Sequence, residues 1–87
     1  MVSATTKIVN PMGMHMRPAQ LFVNTASKFQ SDITILYQGN RINAKSIMHL
    51  MAACLKQGSE LEIECQGPDE AEALAQTVAL IESGLGE

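Results

Sequence analysis

The chain has 87 residues, 46% of them hydrophobic, with six Lys and Arg against nine Asp and Glu for a net charge of −3. That length supports one small core and leaves no room for a second, and the acidic balance excludes the strongly basic profile of a direct nucleic-acid binder. No apolar run approaches the ~18 residues of a membrane span, and the opening MVSATTKIVN lacks the basic-then-apolar order of a secretory leader, so a cytoplasmic, monomeric domain over 1–87 is expected.

Residues 2–9 alternate, with Val2, Ala4, Thr6 and Ile8 on one side and Ser3, Thr5 and Lys7 on the other, the period of a half-buried strand. Ala19, Phe22, Val23 and Ala26 then fall at helical spacing, and Pro18 suits a first helical turn, so a helix is predicted from about Met16 to Lys28. Ile33, Ile35 and Tyr37 alternate with Thr34 and Leu36, and Gln38-Gly39-Asn40 supplies the turn into Arg41-Ile42-Asn43, which reads as a hairpin. Ile47, Met48, Leu50 and Met51 form a short apolar helix behind Ser46 as N-cap, with Gly58 as its expected stop.

Residues 60–65 alternate completely, Leu61, Ile63 and Cys65 against Glu60, Glu62 and Glu64, giving one dry and one wet face. The wet face repels phosphate. From residue 60 onward there are eight acids and no base, whereas residues 1–59 carry all six Lys and Arg and one acid, Asp32, so a positive surface is expected on the first two-thirds. The last helix opens at Asp69 with Glu72 three residues on, close to a capping box. It is expected to bury Ala71, Leu74, Val78 and Ile81 and to stop at Gly84. The order βαββαβα, with one-sided strands, predicts an α+β open-faced sandwich: a four-stranded antiparallel sheet covered on one face by three helices.

Cys54 and Cys65 are too few for a disulfide framework and read as reduced packing thiols. With His15 and His49 they form no metal spacing, and neither a metal nor a cofactor is expected. The stretch Pro11-Met12-Gly13-Met14-His15-Met16-Arg17-Pro18-Ala19 does not follow packing logic. It runs a loop into a helix N-terminus, where the unpaired N–H groups of Met16 and Arg17, the partial positive charge and the Arg17 guanidinium suit a tetrahedral dianion. A neutral imidazole at His15 has a ring-nitrogen lone pair able to attack phosphorus. On residue type alone, the competing reading of His15 is an exposed loop residue or a cap.

The segment from Gly13 to Ala19 resembles the active-site signature of the histidine-containing phosphocarrier family, HPr, of the bacterial sugar phosphotransferase system. The resemblance extends over the whole chain, through Gly39, Asn43-Ala44-Lys45-Ser46-Ile47-Met48, Gly58 and the Gly84-Leu85-Gly86-Glu87 end. It implies that His15 takes a phosphoryl group on Nδ1 from phosphorylated enzyme I, supported by Arg17, and passes it to the IIA domains of sugar permeases. Transfer between histidines of similar phosphoryl potential needs only in-line orientation and charge neutralisation, so such a carrier is closer to a co-substrate than to a turnover enzyme. Met14, Met16, Ile47, Met48 and Met51 are the expected docking residues, since flexible thioethers suit several partners. Lys45-Ser46-Ile47-Met48 is similar to the branch in which a serine kinase/phosphorylase modifies Ser46 and a catabolite-control transcription regulator is then bound. A regulatory paralogue acting mainly through Ser46 is the alternative, and paralogues of that kind replace the histidine that this chain keeps. Met12 and Met16 depart from the family pattern, which usually has a small polar residue at 12 and commonly a small or hydroxylic one at 16, and His49 and Cys54 stand where glycine is frequent in the kinase-regulated branch.

A ligand- or metal-binding module of split βαβ type would want a Cys-x-x-Cys or glycine-rich phosphate loop, and the sequence has neither. A purely structural subunit would want an extensive exposed apolar face.

Overall fold

The computed structural model describes residues 1–86; Glu87, the last residue of the family-like end, lies outside the described residues. The elements are β1 (Val2–Lys7), α1 (Met16–Ala26), β2 (Asp32–Tyr37), β3 (Asn40–Asn43), α2 (Ile47–Ala52), β4 (Glu60–Gln66) and α3 (Glu70–Glu82). The strands form one antiparallel sheet in the order β1-β4-β2-β3. Leu61, Ile63 and Cys65 of β4 point into the core with Ile33, Ile35 and Ile42, and meet Ala19, Phe22 and Ala26 of α1, Leu50 of α2 and Ala73 and Ile81 of α3. The three glutamates of β4 lie on the other, uncovered face, as the alternation requires. The predicted open-faced architecture is therefore present, with helices on one side only.

Insertion of β4 between β1 and β2 matters for charge. Of the two neighbours of the acidic strand only β1 carries a base, Lys7, which stands opposite Glu60; Arg41 reaches across β2 from β3, its Nη2 meeting Glu64 Oε1 at 3.2 Å. The two charge blocks of the sequence are thus partly interleaved on the open face. Gln38 and Gly39 join β2 to β3 with φ of +50° and +81°, the two left-handed residues that match a hairpin's twist.

Four expectations change. β1 ends at Lys7 rather than residue 9, although Ile8 continues the pairing through its N–H to Ser59 O (3.0 Å) and its carbonyl from Gly58 N–H (2.8 Å). The first helix stops at Ala26, and Lys28 lies in the tight turns that follow, its N–H bonded to Thr25 O at 3.2 Å.

The short helix α2 ends at Ala52, not at Gly58: the chain reverses through Cys54 at φ +53°, which lets Leu55 reach the core, and Gly58 instead turns the chain into β4. In α3 the buried stripe is Ala73, Thr77 and Ile81, with Leu74 and Val78 only partly covered and Ala71 exposed. The reason is Thr77, whose hydroxyl donates to Ala73 O at 2.7 Å and so enters the core as an apolar residue would.

The capping box is absent as well. Asp69 is the N-cap of α3, but its side chain makes no cap bond, and Glu72 accepts from Gln76 Nε2 at 3.1 Å. Asp69 instead accepts from the Gln30 and Ser31 N–H groups, both at 2.9 Å, and from the Ser31 hydroxyl. At the other end Gly84 (φ +93°) and Leu85 close α3 with bonds to Ile81 O (3.1 Å) and Leu80 O (3.0 Å), the Schellman pairing. No described helix is long and apolar enough to cross a membrane.

Candidate functional site

His15 is the N-cap of α1, with extended backbone (φ −85°, ψ −172°) and a half-exposed side chain that does not cap the helix. The first bond of the helical ladder runs from Ala19 N–H to His15 O at 2.9 Å. The amides of Met16 and Arg17 lie ahead of it, and Pro18 has no N–H to add, so the helix start presents those two donors beside the imidazole. No acidic residue occupies the first turn, and the Arg17 side chain is exposed. The helix N-terminus thus combines backbone donors, a full positive charge and a nucleophilic ring, the combination suited to accepting and holding a phosphoryl group.

The loop that carries His15 is tightly built. Gly13 has φ +68°, and a Cβ there would lie 2.5 Å from Leu55 O and 2.9 Å from Lys56 Cα, so no other residue fits. Its N–H donates to Asn10 O at 3.0 Å, and its carbonyl accepts Asn10 Nδ2 at 2.7 Å. Met14 N–H donates to Leu55 O at 2.8 Å. The turn after α2 is therefore a structural wall of the His15 loop.

Met14 itself is 4% exposed and belongs to the core, which removes it from the docking residues. Its amide is tied to Leu55, so its side chain is carried inward. Met16 and Met48 are 59% and 77% exposed, Met12 is exposed too, and Ile47 and Met51 are partly buried, packing their inner sides on the core. Leu21 on α1 is also exposed, but it lies beside Gly86, where a Cβ would stand 3.1 Å from Leu21 Cδ2.

Ser46 is the N-cap of α2, half-exposed, its Oγ accepting from His49 N–H at 3.3 Å, as its position predicted. His49 is exposed, and its Nδ1 accepts from Asn43 N–H at 3.4 Å. The two cysteines are both unbridged but differ. Cys54 is exposed rather than packed, while Cys65 is buried, and burial, followed by the negative charge of Glu70 and Asp69, pushes its thiol up and away from nucleophilic use. A groove of about 440 Å³ lined by Asp32, Arg41, Asn43, His49 and Glu64 includes none of His15, Met16 and Arg17. Among the described residues no three His, Cys, Asp or Glu side chains are grouped to hold a metal.

Residues 2–83 match the family model described as the PTS HPr component phosphorylation site. The phosphocarrier protein HPr of Treponema pallidum is 44% identical over 87 residues, which cover all of this chain and 99% of that one. The crystal structure of HPr from Thermoanaerobacter tengcongensis superposes with a TM-score of 0.96 at 46% identity, covering 100% of this chain and 98% of that one. Crh, the Bacillus subtilis catabolite repression protein solved as a domain-swapped dimer, is similar at 38% identity and a TM-score of 0.78, with 97% of each chain covered. Fold, helix-start geometry and full-length similarity agree: the chain belongs to the HPr phosphocarrier family of the phosphotransferase system.

Proposed function

We propose that this chain is a single-domain cytoplasmic phosphocarrier in which His15 accepts a phosphoryl group from phosphorylated enzyme I and passes it to the IIA domains of sugar permeases. The observation that carries the reading is His15 at the N-cap of α1, half-exposed, next to the Met16 and Arg17 amides and with no acid in the first turn. In the transfer a neutral ring nitrogen of His15 attacks phosphorus in line. A new N–P bond forms as the donor's N–P bond breaks, and that bond's electron pair returns to the donor imidazole. The Met16 and Arg17 amides and the Arg17 guanidinium take up the phosphoryl charge. The second transfer runs the same step in reverse roles, and the chain works as a monomer.

The test is reconstitution with phosphoenolpyruvate, enzyme I and a IIA domain. Phosphoryl should reach IIA only when the carrier is present, and Arg17→Ala should slow the relay by about a hundredfold. Equal IIA phosphorylation without the carrier would contradict the reading.

The docking surface of this reading is Met16, Ile47, Met48 and Met51, flexible side chains that repack against different partners. Ser46 borders it through Ile47 and Met48, and phosphorylation there by a serine kinase/phosphorylase would place a double negative charge beside that surface. Such a charge repels an acidic enzyme I and favours a catabolite-control transcription regulator instead. Ser46→Asp should therefore raise the KM for phosphorylated enzyme I while leaving the fold intact. An unchanged KM in both Ser46→Asp and the Ser46-phosphorylated protein would contradict this role.

A further inference from the structure

The peptide unit joining Gly13 to Met14, immediately before His15, is gripped at both ends. Its carbonyl accepts Asn10 Nδ2 at 2.7 Å, and its N–H donates to Leu55 O at 2.8 Å. Asn10 is 3% exposed, and its own carbonyl accepts the Gly13 N–H at 3.0 Å, so one buried residue touches the loop twice. The segment that leads from β1 to Asn10 is in turn fixed by Ile8 N–H to Ser59 O at 3.0 Å and Gln57 Nε2 to Val9 O at 3.1 Å.

These bonds define a rigid frame. Three non-collinear constraints (Asn10 Nδ2, Asn10 O and Leu55 O) fix the plane and the rotation of the segment leading into His15, and the N-cap geometry follows from them. We propose that Asn10 is a positioning residue for phosphoryl transfer. By holding the Gly13 carbonyl it sets the orientation of the His15 ring relative to the Met16 and Arg17 amides. The inference rests on the reading of His15 as the phosphoryl acceptor.

The residue type is specific to the task. The side chain has to donate to a carbonyl three residues ahead while buried, which a primary amide does. An aspartate has the same shape but no donor when ionised, and it would set a negative charge against the Gly13 carbonyl. Alanine would leave the Gly13 carbonyl without this donor. Misplacement of a reacting group by about 1 Å lowers a transfer rate by about a hundredfold, so loss of the clamp is a rate effect. The docking residues Met16, Ile47, Met48 and Met51 are not touched by Asn10 in this scheme, so encounter with the partner is unaffected.

The experiment compares wild type, Asn10→Asp, Asn10→Ala and His15→Ala in single-turnover phosphorylation by phosphorylated enzyme I, with unfolding midpoints measured in parallel. Both Asn10 variants should lose about tenfold to a hundredfold in maximal transfer rate, with the KM for enzyme I within about twofold and the amide resonances of Met14, His15 and Met16 displaced while those of α3 stay in place. In the wild type, the Asn10 Nδ2 protons should also resist solvent exchange before and after phosphorylation, a measurement that needs no variant to fold. Wild-type transfer rates in a folded Asn10→Asp, or a rate lowered only in proportion to the unfolded fraction, would overturn the positioning role while phosphorylation lost in His15→Ala keeps the carrier reading. Asn10 Nδ2 protons exchanging as fast as an exposed amide would overturn it as well. A wild type that takes no phosphoryl group at all would overturn the carrier reading and this inference with it.

Discussion

Gly13 lies so close to Leu55 that a Cβ on it would stand 2.5 Å from the Leu55 carbonyl oxygen, the same oxygen that accepts the Met14 N–H at 2.8 Å. The loop bearing His15 and the turn after α2 are thus in backbone contact, with no side chain between them.

Replacing Gly13 by Ala forces the loop off this wall and places a Cβ at φ +68°. The variant should lose about 1–3 kcal/mol of stability and most of its phosphoryl acceptance. Urea unfolding together with the rate of phosphorylation by enzyme I checks both.

Met14 and Met48 separate packing from docking within one residue type. Met14, at 4% exposure, should lose about 2–5 kcal/mol on replacement by Ala. Met48, at 77% exposure, should change stability by no more than about 0.5 kcal/mol and instead raise the KM for partner proteins. Equal stability losses in the two variants would contradict the assignment.

Most of the fold was legible because the strands alternate cleanly: β4 has no ambiguous position, and the turn at Gln38-Gly39 has the chemistry a two-residue hairpin needs. α3 was not, since Ala71, Ala73, Ala75 and Ala79 leave several faces equally apolar and the buried Thr77 looks polar until its hydroxyl is seen to bond Ala73 O. Asp69 read as a cap because nothing in the sequence shows that Ser31, 38 residues away, will take its carboxylate. The candidate site was legible at His15, Met16 and Arg17, where sequence neighbours become spatial neighbours. The Leu55 wall was not, being a long-range contact. Asn10 left a signal: Asn-Pro-x-Gly is favourable turn chemistry, with Asn first, Pro second and Gly fourth.

The Ser31 hydroxyl, then the Gln30 and Ser31 N–H groups, hold the Asp69 carboxyl below its ordinary range. A carboxyl whose folded value is depressed adds stability above its unfolded value of about 4, and that stability is lost as pH falls through the folded value. Asp69→Asn should accordingly be less stable than wild type near neutral pH, and the difference should shrink on acidification below about pH 4. Thermal unfolding across this range checks the sign; a gap that widens in acid would contradict it.

Cys54 adopts φ +53° at an exposed position where a side chain contributes little packing. Cys54→Gly should therefore stabilise the protein by about 1 kcal/mol, read from the urea midpoint. The same substitution should leave phosphoryl acceptance unchanged.

The central claim is that His15 carries the phosphoryl group, and intact-mass spectrometry after incubation with phosphoenolpyruvate and enzyme I tests it most directly. The account predicts one acid-labile phosphoryl adduct on the wild type and none on His15→Ala. An adduct that persists in a folded His15→Ala, or its absence from wild type when the same enzyme I phosphorylates another carrier, would contradict it.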